Sequence, residues 1–201
     1  LSLVPNVDNL NEPLVPMDWQ LFIFSQIFAW LDLEALPRFV NIVLSMARAQ
    51  GKTMIAGINL DYSFLIETIG LSNQDYLVSS LNFEQTMKLF TYVKSMMASI
   101  IEKEPFKSLA DETGLQLYSR EIKATVDSNS IQTISFESGK FDSKHFKFAI
   151  ADEVGELKTD EGISKITSGQ VNTKGSRFME ISTAYQTPNV PFHQEQKKLI
   201  E

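Results

Sequence analysis

The chain of 201 residues contains no cysteine, which excludes disulfide bridges and thiolate metal sites. It also lacks a long apolar run near its start. The uncharged apolar stretch over residues 19–31 is too short to cross a bilayer and has no basic flank of the kind found in signal peptides. We therefore expect no membrane-spanning segment, and a reducing, cytoplasmic setting is compatible with this composition.

The chain also has fewer basic residues than acidic ones. Lysine and arginine number 18 against 25 aspartates and glutamates, so the net charge is -7. Tight binding of duplex DNA needs clustered lysine and arginine, because these residues contact the phosphates. Any handling of DNA would therefore depend on a local basic patch, on an oligomeric ring or on another domain. The hydrophobic fraction of 43% is ordinary for a globular domain with a sizeable core.

Apolar runs of strand length alternate with helical patterns along the chain. The runs that favour buried strands cover residues 39–45, 75–80, 146–151 and 177–182. Helical spacing covers residues 17–31, 52–68, 83–102 and 158–168, and residues 122–135 favour short strands joined at the turn formers 127–130. Residues 1–16 contain prolines, show no periodicity and are interpreted as an extended arm. The alternation predicts an α/β fold with a mainly parallel sheet covered by helices on both faces.

The first apolar strand leads into residues 46–53, which read MARAQGKT. Gly51-Lys52-Thr53 at a strand-to-helix turn is the second half of a phosphate-binding P-loop. A glycine lets the backbone approach phosphate, the lysine places a cation on the β- and γ-phosphates, and the threonine hydroxyl can bind Mg²⁺. Met46 stands where the usual leading glycine would be. The tripeptide alone is common, so its position after an apolar strand is what favours phosphate binding.

Arg48 lies inside this loop, and two interpretations of it remain open. It is either a solvated charge on a turn or a guanidinium that stabilises the charge developing on the γ-phosphate. The residue pattern alone does not separate these two roles.

A second motif follows the apolar strand that ends at Ala151. Asp152 and Glu153 are adjacent carboxylates, and such a pair at the end of a buried strand is favourable only beside a cation. Asp152 would hold Mg²⁺ and Glu153 would polarise the attacking water. A strand that simply turns into solvent would show the same residues. The joint occurrence with Gly51-Lys52-Thr53 favours nucleotide hydrolysis.

The order of these motifs resembles the ATPase domain of tailed-bacteriophage terminase large subunits. The similar segments are Asp18-Trp19-Gln20, residues 47–53, Ile150-Ala151-Asp152-Glu153 and Ile181-Ser182-Thr183-Ala184, supported by Ser119-Arg120-Glu121-Ile122 and Ser128-Asn129-Ser130. The resemblance covers residues 17–186, and a phosphate loop with an arginine and no leading glycine is typical of that family. It implies a P-loop NTPase fold of the RecA/ASCE type with a helical N-terminal extension. Residues 1–37 would form the arm and helix on the adenine side, and residues 38–201 would form the ATPase core.

The resemblance also implies roles for individual residues, with ATP and Mg²⁺ as cofactors. Gln20 would read the adenine edge, although it could merely open a helix. The phosphate loop would bind nucleotide through Ala47, Arg48, Ala49, Gln50, Gly51, Lys52 and Thr53. Mg²⁺ would be held by Thr53 and Asp152, and catalysis would fall to Glu153 and Arg48. Ser182 and Thr183 would couple the γ-phosphate state to subdomain movement, or would be strand-end hydroxyls that bond the local backbone.

The family further implies partners and a setting. These are double-stranded DNA, the small terminase subunit, the portal protein and copies of the chain itself in a ring, in the host cytoplasm at the procapsid portal. A neighbouring subunit would supply a basic residue, for which Arg120, Lys140 and Lys144 are open candidates. We expect this chain to be a fragment without the family's nuclease domain, and so without DNA cutting. The alternatives are a helicase-like P-loop ATPase and a nucleotide-binding assembly module without turnover.

Overall fold

The computed structural model describes residues 3–6, 9–142, 144–183 and 190–200. The helices are α1 (Asp18–Phe28), α2 (Lys52–Tyr62), α3 (Phe83–Ile100), α4 (Phe106–Thr113), α5 (Glu161–Gln170) and α6 (Pro191–Ile200). The strands are β1 (Pro5–Asn6), β2 (Asn9–Pro13), β3 (Asn41–Ser45), β4 (Asp75–Ser79), β5 (Leu115–Leu117), β6 (Glu121–Ala124), β7 (Asn129–Thr133), β8 (Phe146–Asp152) and β9 (Arg177–Ser182). Within the described ranges, no helix is long and apolar enough to cross a bilayer.

The main sheet has seven strands in the order β3-β9-β8-β4-β7-β6-β5. The strands from β3 to β7 in this order are mutually parallel, and β6 and β5 add an antiparallel edge. The prediction of an α/β fold with a mainly parallel sheet is confirmed. In space, β9 lies between β3 and β8. This order brings the carboxyl ends of the strands that carry the phosphate loop, the acidic pair and Ser182 to one edge of the sheet.

Both faces of the sheet are covered by helices, which explains why its central strands are apolar without alternation. The face toward α2 and α3 buries side chains that include Ile55, Leu60, Tyr76, Phe90, Phe148 and Met179. The face toward α5 and α6 buries others that include Leu77, Phe146, Ala149, Ile166, Phe178 and Phe192. Adjacent residues of one strand therefore belong to different core clusters, as the period of two in a strand requires.

A buried arginine ties α1 to the sheet. Arg177, at the start of β9, is 2% exposed, and its guanidinium donates to the carbonyl oxygen of Ile27 at 3.1 Å and to the carboxylate of Glu67. The same guanidinium lies 4.8 Å from the ring centroid of Phe28. A charge this deeply buried needs such partners, so α1 is held in a fixed position over the sheet.

The structure differs from the sequence-based elements in several places. Residues 1–16 were predicted as an extended arm, whereas β1 and β2 pair as an antiparallel hairpin in which Val4 is buried. The helix predicted over residues 52–68 continues beyond Tyr62 as a π-helical turn, Ser63–Glu67. The short elements α4, β5 and α6 were not predicted. α4 contains no fully buried residue and β5 has three residues, so neither leaves a clear hydrophobic period in the sequence.

Candidate functional site

The phosphate loop has the backbone conformation that its sequence requires. Gly51 adopts φ 74° and ψ 22°, in the left-handed region, and α2 begins at the next residue. A Cβ at this position would make only ordinary contacts, so the dihedral angle rather than space selects glycine here. The N-terminus of α2 therefore opens directly onto the loop, where unpaired backbone N–H groups favour an anion.

Lys52 folds back over the loop. It is 8% exposed, and its Nζ donates to the carbonyl oxygen of Ala47 at 3.4 Å. The loop is also joined to the neighbouring strand, because the Met46 N–H donates to the carbonyl oxygen of Ser182 at 3.1 Å. Thr53 follows in the first turn of α2 and is half-buried. A cation and a hydroxyl therefore flank the helix N-terminus, as phosphate and Mg²⁺ binding require.

Asp152 is the last residue of β8 and is buried. Its Oδ1 accepts the Glu153 N–H at 2.9 Å, and its carbonyl oxygen accepts the Ser80 hydroxyl at 3.0 Å. The pKa of Asp152 is raised to about 6, mainly by burial and also by the charge of Glu153, while the positive charge of Lys52 opposes this shift. Lys52 and Asp152 therefore act on each other electrostatically across the end of β9.

A divalent cation suits this carboxylate. An ionised side chain that is buried beside a second carboxylate is stabilised by nearby positive charge. Mg²⁺ is usually bound through one or two protein oxygen ligands together with phosphate oxygens and water. Asp152 and Thr53 can supply such ligands. No cluster of three or more acidic or histidine side chains that could hold a metal occurs in the described part of the chain, so phosphate would have to complete the coordination.

Glu153 leaves the strand with a strained backbone. Its φ of 56° and ψ of 32° lie in the left-handed region, which costs a non-glycine residue roughly 1–2 kcal/mol. The residue then begins a short 3₁₀ turn, Val154–Glu156. Strain of this kind persists where the surroundings enforce it, and it is frequent at catalytic positions.

The end of β9 contacts both halves of the site. The Ser182 hydroxyl is fully buried and accepts the Gly155 N–H at 3.0 Å, while the Ser182 carbonyl accepts from the phosphate loop. Thr183 is 6% exposed, and Ala184 lies outside the described residues. The Ser182 hydroxyl therefore bonds the backbone of a residue that is distant in sequence and follows the acidic pair, and its coupling role stays a prediction.

Gln20 is placed next to the phosphate loop. It is 6% exposed, and its Nε2 lies 3.8 Å from the position that a Cβ at Gly51 would occupy. Its Oε1 accepts the N–H of Met17, so the side chain also caps the start of α1. Gln20 therefore caps the start of the helix and also lies beside the phosphate loop, and its contact with adenine stays a prediction.

The basic residues considered for catalysis, within one subunit or between subunits, lie in different parts of the structure. Arg48 is exposed within the phosphate loop. Arg120 is exposed just before β6, with its guanidinium 5.0 Å from the ring centroid of Phe83. Strand spacing places β6 about 24 Å from β3, so Arg120 lies at the same sheet edge but far from the loop. Lys144 precedes β8 at the opposite edge and donates to the Gln132 side chain at 2.9 Å.

Lys140 follows the turn after β7, a segment whose backbone bonds Ser80 and Leu81, so it lies on the nucleotide side of the sheet. Ser80 itself was missed in the sequence, as was Lys88 on α3, whose positive charge opposes the raised pKa of Asp152. The polar end of the strand predicted over residues 75–80 is the signal that could have identified Ser80.

The fold and the arrangement of these residues define a P-loop nucleotide-binding domain. The family model described as the terminase large subunit ATPase domain matches residues 18–201, and the chain belongs to this family. The resemblance to terminase large subunits that was found in the sequence is confirmed. ATP hydrolysis is the activity that the family implies. The helicase-like alternative is not favoured.

Solved structures show the same fold. The HK97 bacteriophage large terminase is 17% identical with a TM-score of 0.75, and the match covers 98% of this chain and 39% of that one. A variant of the Thermus phage P74-26 large terminase ATPase domain is 14% identical with a TM-score of 0.68, over 96% of this chain and 74% of that one. The chain thus spans about two fifths of the HK97 protein. No curated protein sequence matches it.

Proposed function

We propose that this domain hydrolyses ATP in a Mg²⁺-dependent reaction and that, in the intact terminase, hydrolysis drives double-stranded DNA into the procapsid. The observation that carries the proposal is the meeting of the phosphate loop, Asp152 and Ser182 at one edge of the sheet. Family membership supplies the packaging role. Since the chain spans only part of the HK97 protein's length, translocation belongs to the whole terminase.

Nucleotide binding would begin at the N-terminus of α2. Its N–H groups would donate to phosphate oxygens, and Lys52 would exchange its 3.4 Å contact with the Ala47 carbonyl for contacts with the β- and γ-phosphate oxygens. Ala47, Ala49 and Gln50 would contribute their backbone to the loop that surrounds the phosphates. Thr53 and Asp152 would hold Mg²⁺, which neutralises charge on the phosphates when bound. Gln20 would contact the adenine base from the start of α1.

Hydrolysis would then depend on Glu153. Its carboxylate would orient a water molecule and accept a proton from it as the water oxygen attacks the γ-phosphorus. The bond from the γ-phosphorus to the β–γ bridging oxygen breaks, and ADP and inorganic phosphate are the products. Arg48, exposed in the loop, would stabilise the charge on the γ-phosphate oxygens. These groups contribute by positioning and electrostatics rather than by a covalent intermediate.

Coupling would run through β9. Ser182 contacts the phosphate loop through its carbonyl and the turn after Glu153 through its hydroxyl. Loss of the γ-phosphate changes the charge at both contacts, so Ser182 and Thr183 are in a position to transmit that change to the following segment.

Assembly would complete the site. Arg120 lies about 24 Å from the phosphate-loop strand at the same edge, which suits a residue that reaches a neighbouring subunit's nucleotide rather than its own. Lys140 is the second candidate, and Lys144 is disfavoured by its position at the opposite edge. The net charge of -7 favours a DNA contact that depends on a ring or on another part of the terminase. The small subunit and the portal protein would be the other partners of the intact motor.

Paired variants test this proposal. Glu153→Gln should bind ATP and Mg²⁺ normally but release phosphate at least about a hundredfold more slowly, whereas Lys52→Ala should lose ATP binding itself. Glu156→Gln, in the same turn but exposed, is the control and should keep normal turnover. Phosphate release and equilibrium ATP binding are measured with and without Mg²⁺. Equal slow release by wild type and Glu153→Gln, with ATP bound by both, would instead favour an assembly module without turnover.

A further inference from the structure

A cavity that is open to solvent lies on the face of the sheet opposite α2 and α3. It has a volume of about 690 Å³ and is lined by residues of β9, α5 and α6. This volume is within the range of small-molecule sites, roughly 300–1,000 Å³. The lining is rich in polar groups, among them Asn41, Ser164, Thr167 and Gln194. Its chemistry therefore differs from that of an apolar packing defect.

Glu180 is the most deeply buried charged residue that lines this cavity. The side chain is 5% exposed, and its Oε2 has no hydrogen-bond partner within the described part of the chain. Burial, together with the smaller effect of the Glu195 charge, raises the pKa of Glu180 to about 7. A buried carboxylate oxygen without a partner is unfavourable, and among the described residues no positive or hydrogen-donating group contacts Glu180 Oε2.

The lysines that line the cavity do not supply that partner. Lys198 lies 3.4 Å from the Glu195 carboxylate, and Lys174 lies 3.0 Å from Glu34. Asp160 adds a further carboxylate to the lining. The described residues include no group of three or more acidic or histidine side chains that could hold a metal ion by themselves.

We propose that this cavity binds an organic cation, a primary ammonium or guanidinium group, with Glu180 as its carboxylate partner. The ammonium hydrogens that do not bond Glu180 would donate to the hydroxyl and amide oxygens of the other side chains that line the cavity. A buried cation requires such partners. The cation is either a free polyamine or a lysine or arginine side chain presented by another polypeptide. Both sources share the same chemistry. This binding is independent of ATP hydrolysis, and it is tested without nucleotide.

The test is a titration of the nucleotide-free chain with 1,4-diaminobutane and, separately, with N-acetyl-lysine methylamide, followed by NMR shifts of the α5 and α6 backbone amides. We expect saturable shifts, with affinity reduced about tenfold in Glu180→Gln and unchanged in Glu102→Gln, an exposed carboxylate elsewhere. Tighter binding of the diamine indicates a free polyamine, and tighter binding of the lysine derivative indicates a side chain. Absence of saturable shifts, or equal affinity in Glu180→Gln, overturns the proposal.

The pH dependence gives a second readout. Affinity should increase from pH 6 to pH 8 in the wild type, because ionised Glu180 binds a cation and protonated Glu180 does not. The other charged groups that face the cavity are Asp160, Lys174, Glu195 and Lys198. Comparison with Glu180→Gln at each pH separates the effect of Glu180 from theirs. The same increase in the variant would contradict Glu180 as the partner.

Discussion

Ser182 and Gly155 are joined by a hydrogen bond in which the buried Ser182 hydroxyl oxygen accepts the Gly155 N–H at 3.0 Å. This bond connects the end of β9 to the turn that follows Glu153. The Ser182 carbonyl in turn accepts from Met46 in the phosphate loop. One residue therefore contacts both motifs that the proposed hydrolysis requires, and the first prediction concerns it.

Ser182→Ala should lower the ATP turnover number about tenfold while leaving ATP affinity nearly unchanged. The variant removes the acceptor of a buried N–H, which costs roughly 1–3 kcal/mol and loosens the turn after Glu153. Ser130→Ala is the matched control, since Ser130 is also buried but bonds Asp75 at the opposite sheet edge. Steady-state phosphate release and chemical denaturation separate the two effects. An equal loss of turnover in both variants would show that stability alone is responsible.

Gln20→Ala should reduce the preference for ATP over GTP, by about tenfold in the ratio of their affinities. The side chain lies beside the phosphate loop, and its amide can bond a base edge. The variant also removes the cap on the Met17 N–H, which costs α1 about 1 kcal/mol. Ser25→Ala on the same helix is the control, because its hydroxyl bonds the Phe22 carbonyl. Unchanged base preference in Gln20→Ala would limit Gln20 to its capping role.

Arg120→Ala should abolish most turnover if this residue acts on a neighbouring subunit, and mixing should restore part of it. When Arg120→Ala is mixed with Glu153→Gln, an Arg120→Ala subunit still has Glu153 in its own site. A neighbouring Glu153→Gln subunit can then supply the missing Arg120 to that site. Turnover of the mixture above the mean of the separate variants is the expected result, measured against protein concentration. Lys144→Ala, at the opposite edge, should keep wild-type turnover. A mixture no more active than its components would exclude action between subunits.

Glu180→Gln should stabilise the fold increasingly as the pH rises from 4.5 to 8. The folded state keeps a proton on Glu180 up to a pKa of about 7, whereas the unfolded chain releases it near 4.5. The wild type therefore loses stability across this window, by up to roughly 3 kcal/mol, and regains it as the pH falls. Urea denaturation of both proteins at several pH values, without amines, measures the difference. A difference that does not vary with pH would mean that Glu180 titrates normally in the folded protein.

The motifs that could be predicted are those whose chemistry is local. Gly51-Lys52-Thr53 requires a strand, a left-handed glycine and a helix start in direct succession, and the structure has all of them. The hairpin of β6 and β7 was likewise predicted, because its turn residues are adjacent in sequence. α4 and β5 could not be predicted, since they are short and depend on packing against other elements for their stability.

The amino-acid sequence by itself determined the α/β class, the phosphate loop and the acidic pair, because hydrophobic period, glycine conformation and adjacent carboxylates are properties of neighbouring residues. Only the tertiary structure decided that β9 lies between β3 and β8, that Ser80 bonds the backbone of Asp152, and that Glu180 Oε2 is buried with no hydrogen-bond partner among the described residues. These relationships join residues that are distant along the chain. Strand order and burial arise from the packing of the whole sheet, so no local pattern encodes them.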